Sequence, residues 1–378
     1  MAFTVTQIPN AIQYTKNEMT VSIHGTVANS LFRLVVLKED NTTVTSLEGR
    51  LDAAFNISWD LSEILDAMAQ HSTNGIGTYL VDQGVIFEYR FNIIEVNNIY
   101  TIAGMYTSPL LHAMKGGIAQ GFVTDPFAWL RNGSHFLTFA ETMTVLPDQL
   151  VVLDFLFQIP FTESLVAKAK LFYTDGTNYT VVLNIWEDWE PGEQYNLLRV
   201  NAGFKDNLLD TAFPEKTVSH YIVTLSDVSH LLPKASIIIS LDYQYYRNPV
   251  IFVYANSLGG IETAYLSGND KFALKPEIIL AERHSIAGKK ILSFNHILSR
   301  ETETSTGYKS KTDIERLAEI FLTPFVFQYA NGSLVPIIIS QDSTLLIDNS
   351  SNLNAATIKY SRSFVNKSYT PDLYDVKN

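Results

Sequence analysis

Short runs of β-branched and aromatic residues, separated by turn residues, dominate the pattern of apolar and polar positions along the chain. Such side chains fit the pleated, half-buried surface of a sheet. No amphipathic helix separates consecutive runs in the middle of the chain, as it would in a βαβ unit. The pattern therefore predicts a mainly all-β chain of tandem antiparallel sandwiches, and representative runs are LFRLVVLKED, VIFEYRFNIIEV, AKLFYTDG, YTVVLNIWE and NPVIFVYAN.

A few local signals interrupt this β pattern. Asp60 with Glu63, and Ser310 with Asp313, have the spacing of a capping box and predict two short helices. Asn331-Gly332 lies between two apolar runs and predicts a tight hairpin. The stretch NTTVTSLEGR, residues 41–50, indicates a turn-rich connector.

The spacing of these elements predicts three units. Residues 1–97 are expected to form an N-terminal Ig-like β-sandwich. Residues 98–285 are expected to form a larger antiparallel sandwich. Residues 286–378 are expected to form a small C-terminal α+β segment that could pack on the second domain.

Composition and charge narrow the function classes. The chain has 378 residues, 27 basic against 39 acidic side chains, a net charge of −12 and no cysteine. An acidic chain without basic blocks lacks the electrostatic footprint of a nucleic-acid binder, so no nucleic-acid partner is expected. Absence of cysteine excludes thiolate metal sites and disulfides within this sequence. No apolar run approaches the length of a transmembrane helix, and the first residues do not resemble a signal peptide, so neither membrane insertion nor signal-directed export is expected.

Familiar catalytic and cofactor motifs are missing from the sequence. It has no G-x-G-x-x-G, no P-loop, no H-E-x-x-H and no G-x-S-x-G. The Gly259-Gly260 pair in VYANSLGGIETAYL precedes a strand-like run instead of a helix that could hold a phosphate. We therefore predict a structural turn at Gly259 and Gly260, and we expect no catalytic residue and no cofactor. No metal site is expected from the sequence, because the eight histidines are scattered and could bind a metal only where the fold brings them together. The chain is not expected to be an enzyme.

The densest chemical cluster is the stretch NIWEDWEPGEQY. Trp186 and Trp189 could form a platform for a sugar ring, and Glu187, Asp188 and Glu190 could bind its hydroxyls. The other interpretation is a polar hairpin loop whose Trp side chains cover the edge of a sandwich or contact another subunit. Both interpretations stay open, so these five residues are a candidate glycan or partner contact.

Several segments resemble one group of proteins. Three of them are HFLTF at 135–139, VYANSLGGIETAYLSG at 253–268 and STGYKSKTDIERLAEIFLTPFVF at 305–327. An N-terminal strand, IQYTKNEMTV, precedes these three, and a closing stretch at 352–371 follows them. The chain resembles large all-β proteins found near tail genes in phages and prophages of Bacteroidetes-type bacteria.

This resemblance implies a structural subunit of a virion, located in the tail, the baseplate or a neck appendage. The partners it implies are other virion proteins and copies of the chain itself, assembled in the host cytoplasm. The alternative function is a carbohydrate-binding adhesin or receptor-binding protein of the same particle, with a host-surface glycan as ligand.

Overall fold

The computed structural model of the chain describes residues 3–73, 75–82, 85–96, 102–119, 135–157, 164–186, 195–227, 234–285, 288–345 and 354–363. The chain divides into two compact units. Unit 1 comprises Met1–Leu241 and Asn256–Glu262, and unit 2 comprises Asp242–Ala255 and Thr263–Asn378. Strands form most of the regular structure in both units, which confirms the expected mainly all-β fold class.

The first sandwich of unit 1 encloses one apolar core between two sheets. Alternate side chains of neighbouring strands point into that core, among them Val21, Ile23, Phe32 and Leu34, because successive residues of a strand face opposite sides. The smaller sheet has the order β1 (Phe3–Gln7), β3 (Thr20–Gly25), β6 (Asn56–Asp60). The larger sheet has the order β2 (Ile12–Tyr14), β10 (Leu111–Met114), β8 (Ile86–Val96), β4 (Leu31–Lys38), β5 (Thr43–Arg50), with β9 (Ile102–Thr107) also paired to β8.

Two local expectations in this sandwich are wrong. Residues 41–50 are not a connector, because Thr43–Arg50 forms β5 and pairs along β4. Its many polar side chains suit a strand at the edge of the sheet, while Val44 and Leu47 pack against the core. Helix α1 (Ser62–Met68) lacks the predicted capping box: Leu61 is its N-cap residue, and Asp60 instead accepts hydrogen bonds from the Ser62 and Met19 amides at 3.0 and 3.3 Å.

The second sandwich of unit 1 has a separate core. Leu153 and Phe155 from one sheet and Leu171 and Val223 from the other are fully or almost fully buried within it. The five-stranded sheet has the order β11 (Thr142–Val145), β17 (Ala235–Leu241), β16 (Val218–Asp227), β13 (Leu165–Tyr173), β14 (Asn178–Trp186). The three-stranded sheet has the order β12 (Val152–Phe157), β15 (Asn196–Asn201), β7 (Leu80–Asp82), and a 3₁₀ turn covers Leu209–Thr211.

Most described pairings are antiparallel, with two exceptions at sheet edges. β10 pairs with β2 in parallel, and β11 pairs with β17 in parallel. Each of these pairs joins strands that are far apart in the chain, as parallel neighbours must be.

Unit 2 combines a short helical segment with most of one large sheet, whose strand β19 (Ile261–Leu266) begins with the last two residues of unit 1, Ile261 and Glu262. Ile314 and Leu317 of helix α2 (Lys311–Leu317) pack with Phe252, Ile358 and other side chains of the sheet. A 3₁₀ turn, Ala318–Phe321, follows the helix. The sheet has the order β19 (Ile261–Leu266), β18 (Val250–Ala255), β22 (Val326–Ala330), β23 (Ser333–Ile339), β25 (Ala356–Arg362), β21 (Gly288–Ser305), β20 (Asp270–Ser285), with β24 (Thr344–Leu345) paired to β25.

The bounds of the two units differ from the domain bounds expected at residues 97 and 285. Strands on both sides of 97 belong to unit 1, where β7 pairs with β15. Position 285 ends β20, whose ladder with β21 runs from Asp270↔Thr304 to Ser285↔Gly288. A boundary at 285 would therefore separate the two strands of one hairpin.

Candidate functional site

The Gly259-Gly260 pair lies in a buried turn between β18 and β19. Gly259 has φ +80°, and the Gly260 amide donates a hydrogen bond to Asn256 Oδ1 at 3.0 Å. Asn256 Nδ2 in turn donates to the Leu137 carbonyl at 2.7 Å and to Glu262 Oε1 at 2.8 Å. The side chain of Asn256 thus closes the turn and holds it to the rest of unit 1.

A buried ion pair contacts the same turn. Arg199 and Asp154 lie directly opposite each other on β15 and β12, and their side chains are almost completely buried. Arg199 Nε donates to Asp154 Oδ1 at 2.9 Å and Nη2 donates to Oδ2 at 3.1 Å, while the Ile261 amide donates to Oδ2 at 2.8 Å. This two-point geometry satisfies the carboxylate inside the protein.

Segments from the first 120 residues complete the surroundings of the turn. The Tyr14 hydroxyl donates to the Leu258 carbonyl at 3.1 Å, and the Gly117 amide donates to the Ser257 carbonyl at 2.7 Å. His71 hydrogen-bonds with the backbone of Gly259, and burial lowers the pKa of His71 to about 4. These polar groups bind one another, so the arrangement positions chain segments around the turn.

Trp186 ends β14 and packs inward. Its ring lies 6.0 Å from the Tyr79 ring, at an interplanar angle of 69°, against the core of the second sandwich. A sugar platform needs an exposed ring face, so this placement favours a packing role for Trp186. The other residues of the predicted contact, Glu187, Asp188, Trp189 and Glu190, lie outside the described residues, and the glycan interpretation of that loop stays a prediction.

Two tyrosines, an aspartate and a lysine form a polar cluster in unit 2. The Tyr265 and Tyr246 hydroxyls donate to Asp242 Oδ2 at 2.7 and 2.9 Å. Burial would raise the pKa of Asp242, but hydrogen bonds from the Gln244 amide and the two tyrosines lower it. Lys309 Nζ lies 3.3 Å from the centroid of the Tyr265 ring, and burial lowers the pKa of that lysine to about 8.

Unit 2 also contains a polar cleft of about 410 Å³. Strand alternation places Arg300 and Thr302 on one face of β21, and Tyr360 and Arg362 on the same side of the neighbouring β25. The Arg300 guanidinium lies 4.3 Å from the centroid of the Phe272 ring. The remaining polar lining consists of Asp270, Gln328, Asn331 and Ser333.

Tyr360 forms a buried part of this cleft. Burial raises the pKa of Tyr360 to about 12, and the charge of Asp270 acts in the same direction while Arg300 and Arg362 oppose it. All three charged side chains therefore lie close enough to act on one hydroxyl. Because that hydroxyl stays protonated at neutral pH, the charge of the lining comes from two guanidinium groups and one carboxylate.

No local sequence pattern indicates the cleft. Its charged residues belong to three different strands and follow no motif spacing. Only the pairing of β20, β21 and β25 brings Asp270, Arg300 and Arg362 together.

The edge of the five-stranded sheet is the other unusual surface. Among the described strands, β14 pairs with β13 alone. The strand NYTVVLNIW carries no charged residue, and it exposes about half of the side chains of Tyr179, Val182 and Ile185. The edge is thus both apolar and open to pairing in the described part of the protein.

Comparisons with known proteins do not assign the chain to a family. No family model matches it, and no curated protein matches it in sequence. Among the described residues, no three His, Asp or Glu side chains cluster in a way that could hold a metal ion. No helix in the described part of the chain has the length and hydropathy needed to cross a membrane.

Three solved structures illustrate the structural similarities, all with low scores. The fibronectin(III)-like modules of CbhA from Clostridium thermocellum align at 8% identity and TM-score 0.17, covering 65% of this chain and 98% of that one. Trypsin-activated alpha-2-macroglobulin from Escherichia coli aligns at 10% identity and TM-score 0.20, covering 91% and 25%. A glycosyl hydrolase family 2 member from Bacteroides cellulosilyticus aligns at 14% identity and TM-score 0.17, covering 59% and 24%. The chain thus spans about a quarter of the last two proteins.

Proposed function

We propose that this chain is a structural subunit that acts by protein–protein assembly, and that β14 pairs with β14 of a second copy. The observation that carries the proposal is the uncharged, half-exposed edge of β14. The resemblance described above supports a tail, baseplate or neck appendage of a virion as the particle in which such a subunit works.

The physical basis is the behaviour of open sheet edges. An edge strand presents unpaired backbone donors and acceptors, and soluble proteins usually protect such strands with charges or proline. β14 has neither charge nor proline, and its protection against pairing is limited to one bulge opposite Ala167 and Lys168. An edge left apolar and uncharged is suited to strand addition.

The side-chain order of β14 favours a second copy as the occupant. Around Val182 the strand is nearly palindromic: Val181 corresponds to Leu183, Thr180 to Asn184 and Tyr179 to Ile185. In an antiparallel pair centred on Val182, Val181 would lie opposite Leu183 and Thr180 opposite Asn184, so apolar would meet apolar and polar would meet polar next to the centre; the bulge at Leu183 shifts the register beyond it. Such cross-strand matches stabilise a sheet, and a two-fold contact uses the same surface on both copies.

The test introduces a charge at the centre of the edge. We expect the wild-type chain to be dimeric or larger by light scattering, and Val182→Lys to be monomeric, because two lysines would meet directly at the two-fold axis. The matched control is Val27→Lys, whose side chain is 61% exposed, against 51% for Val182. It should behave like wild type.

Two outcomes would contradict the self-association: a wild-type chain that stays monomeric at several hundred micromolar, or a Val182→Lys variant with unchanged mass. The virion assignment has a separate test, which is mass spectrometry of purified particles from a lysogen that encodes the chain. Absence from the particles would remove the virion role and leave the contact between copies standing.

A further inference from the structure

We propose that the cleft of unit 2 binds a small acidic sugar, with the sugar carboxylate between Arg300 and Arg362 and its hydroxyl groups at Asp270, Gln328 and Asn331. This inference is independent of the assembly through β14, because it rests on different residues in the other unit. The size of the cleft falls within the range of small-molecule sites.

The charge of the cleft indicates an anionic ligand. Two guanidinium groups and one carboxylate line it, whereas the chain as a whole carries a net charge of −12. A guanidinium presents its donors as a planar fork that matches a carboxylate. The Arg300 guanidinium lies 4.3 Å from the centroid of the Phe272 ring, within cation–π distance.

Asp270 limits which anion can bind. A carboxylate in the lining repels a second negative charge but accepts hydrogen bonds from hydroxyl groups. The lining therefore suits a ligand with one negative charge and several hydroxyls better than it suits a phosphate dianion. The amides of Gln328 and Asn331 and the hydroxyl of Ser333 add the mixed donors and acceptors that sugar hydroxyls need.

The frame of the cleft is built in advance of binding. Thr302 and Tyr360 are buried and lie opposite each other on paired strands, and the Tyr360 ring packs edge-on against Phe252 in the core at 5.1 Å. Side chains on paired strands of a packed sheet lose little freedom when a ligand binds. The residues that flank these two along their strands, Arg300 and Arg362, are thus held at the cleft.

The first experiment titrates the full chain with glucuronate by calorimetry, in parallel with glucose and inorganic phosphate. We expect saturable binding of glucuronate, with glucose and phosphate each at least tenfold weaker. Glucose binding of equal strength would overturn the role of the arginines. Phosphate binding of equal strength would contradict the proposal that the ligand is a monoanion with several hydroxyl groups. A folded protein that shows no saturable glucuronate binding would contradict it as well.

The second experiment uses variants. Arg362→Gln and Arg300→Gln should each weaken glucuronate binding by about tenfold or more, which is the effect of losing one charge-assisted hydrogen-bond donor. Arg247→Gln is the matched control, since Arg247 is an exposed residue of unit 2 that does not line the cleft. Asp270→Asn should raise phosphate affinity relative to glucuronate.

Arg362 is the decisive position because it is exposed, and its replacement should leave the fold intact. If Arg300→Gln unfolds the protein, as judged by circular dichroism, Arg362→Gln and Asp270→Asn still decide the question. An Arg362→Gln variant that binds glucuronate like Arg247→Gln would overturn the proposed site.

Discussion

Lys309 shows how burial alters a single charged group in unit 2. Its Nζ lies against the Tyr265 ring, and burial lowers its pKa from 10.5 to about 8 although Asp313 and Asp242 favour the charged form. The unfolded chain should titrate near the ordinary value. The folded protein therefore releases this proton at lower pH than the unfolded chain does. At pH values where both states are protonated, the buried charge of Lys309 destabilises the folded state.

This difference predicts a pH-dependent stability. Below about pH 8 both states bind the proton, so the cost of burying the charge is fully present. Between pH 8 and 9.5 the unfolded state binds more protons, and the free energy of unfolding of unit 2 should rise by about 1–2 kcal/mol. Lys309→Met should lack this rise in denaturant unfolding measured at pH 7, 8 and 9.5.

The neighbouring Lys311 provides the control, because its side chain is exposed at the start of α2. Lys311→Met should keep the wild-type rise between pH 8 and 9.5. Equal pH slopes for wild type and Lys309→Met would show that Lys309 is not responsible for it.

At the scale of elements, turn and cap motifs predicted the structure correctly where their hydrogen-bond partners lie in the same hairpin or helix. The Asn331-Gly332 hairpin is confirmed: both residues have positive φ, 51° and 75°, as a type I′ turn requires, and Ala330 pairs with Ser333. The Ser310 cap is confirmed as well, since its side chain accepts a hydrogen bond from the Asp313 amide at 3.2 Å. The predicted Asp60 cap is wrong: Leu61 is the N-cap residue, and Asp60 bonds to the Ser62 amide and to the Met19 amide, which is distant in sequence.

The buried turn at Gly259 makes a prediction that separates strain from crowding. A Cβ added to Gly259 would lie 2.6 Å from the Lys115 carbonyl oxygen and 2.7 Å from Met114 Cε, at φ +80°. Gly176 has φ +82° in the same unit, but an added Cβ would meet nothing within 4 Å. Gly176→Ala should cost about 1–2 kcal/mol from the left-handed backbone alone.

Gly259→Ala should cost more than that, by roughly 1–3 kcal/mol, because the backbone oxygen cannot move aside as a flexible side chain would. Denaturant unfolding of both variants measures the difference. If the two variants lost equal stability, the close contacts at Gly259 would contribute nothing to the cost. The requirement for glycine there would then come from the positive φ alone.

At the scale of the whole chain, the sequence predicted the β class but not the grouping of its strands. Residues 80–82 join a sheet formed mainly by residues beyond 150, and no local pattern indicates such a pairing. For the same reason the sequence did not indicate the cleft, whose residues meet only through the register of the paired strands.

The segments that carry the family resemblance lie close together in the fold. IQYTKN, HFLTF and NSLGG meet in unit 1, where Tyr14 bonds to Leu258 and Asn256 bonds to Leu137. Those motifs therefore mark a packing junction within the fold.

The ion pair at that junction gives the last prediction. Asp154 accepts hydrogen bonds from Arg199 and from the Ile261 amide, which joins two strands of the sandwich to the buried turn. Asp154→Asn removes the negative charge of Asp154 from beside the buried guanidinium and places an NH2 donor where one carboxylate oxygen now accepts hydrogen bonds. We expect a loss of about 3–5 kcal/mol in the free energy of unfolding.

The control is the exposed pair of Arg33 and Glu48 in the same unit, joined at 2.6 Å with both side chains about half exposed. Glu48→Gln should cost less than about 1 kcal/mol, since solvent screens that pair. Similar losses for the two variants, measured by denaturant unfolding, would mean that water reaches Arg199 once Asp154 is gone. A much larger loss for Asp154→Asn supports the view that the buried ion pair, with its added hydrogen bond from the Ile261 amide, contributes far more to the stability of this unit than the exposed pair does.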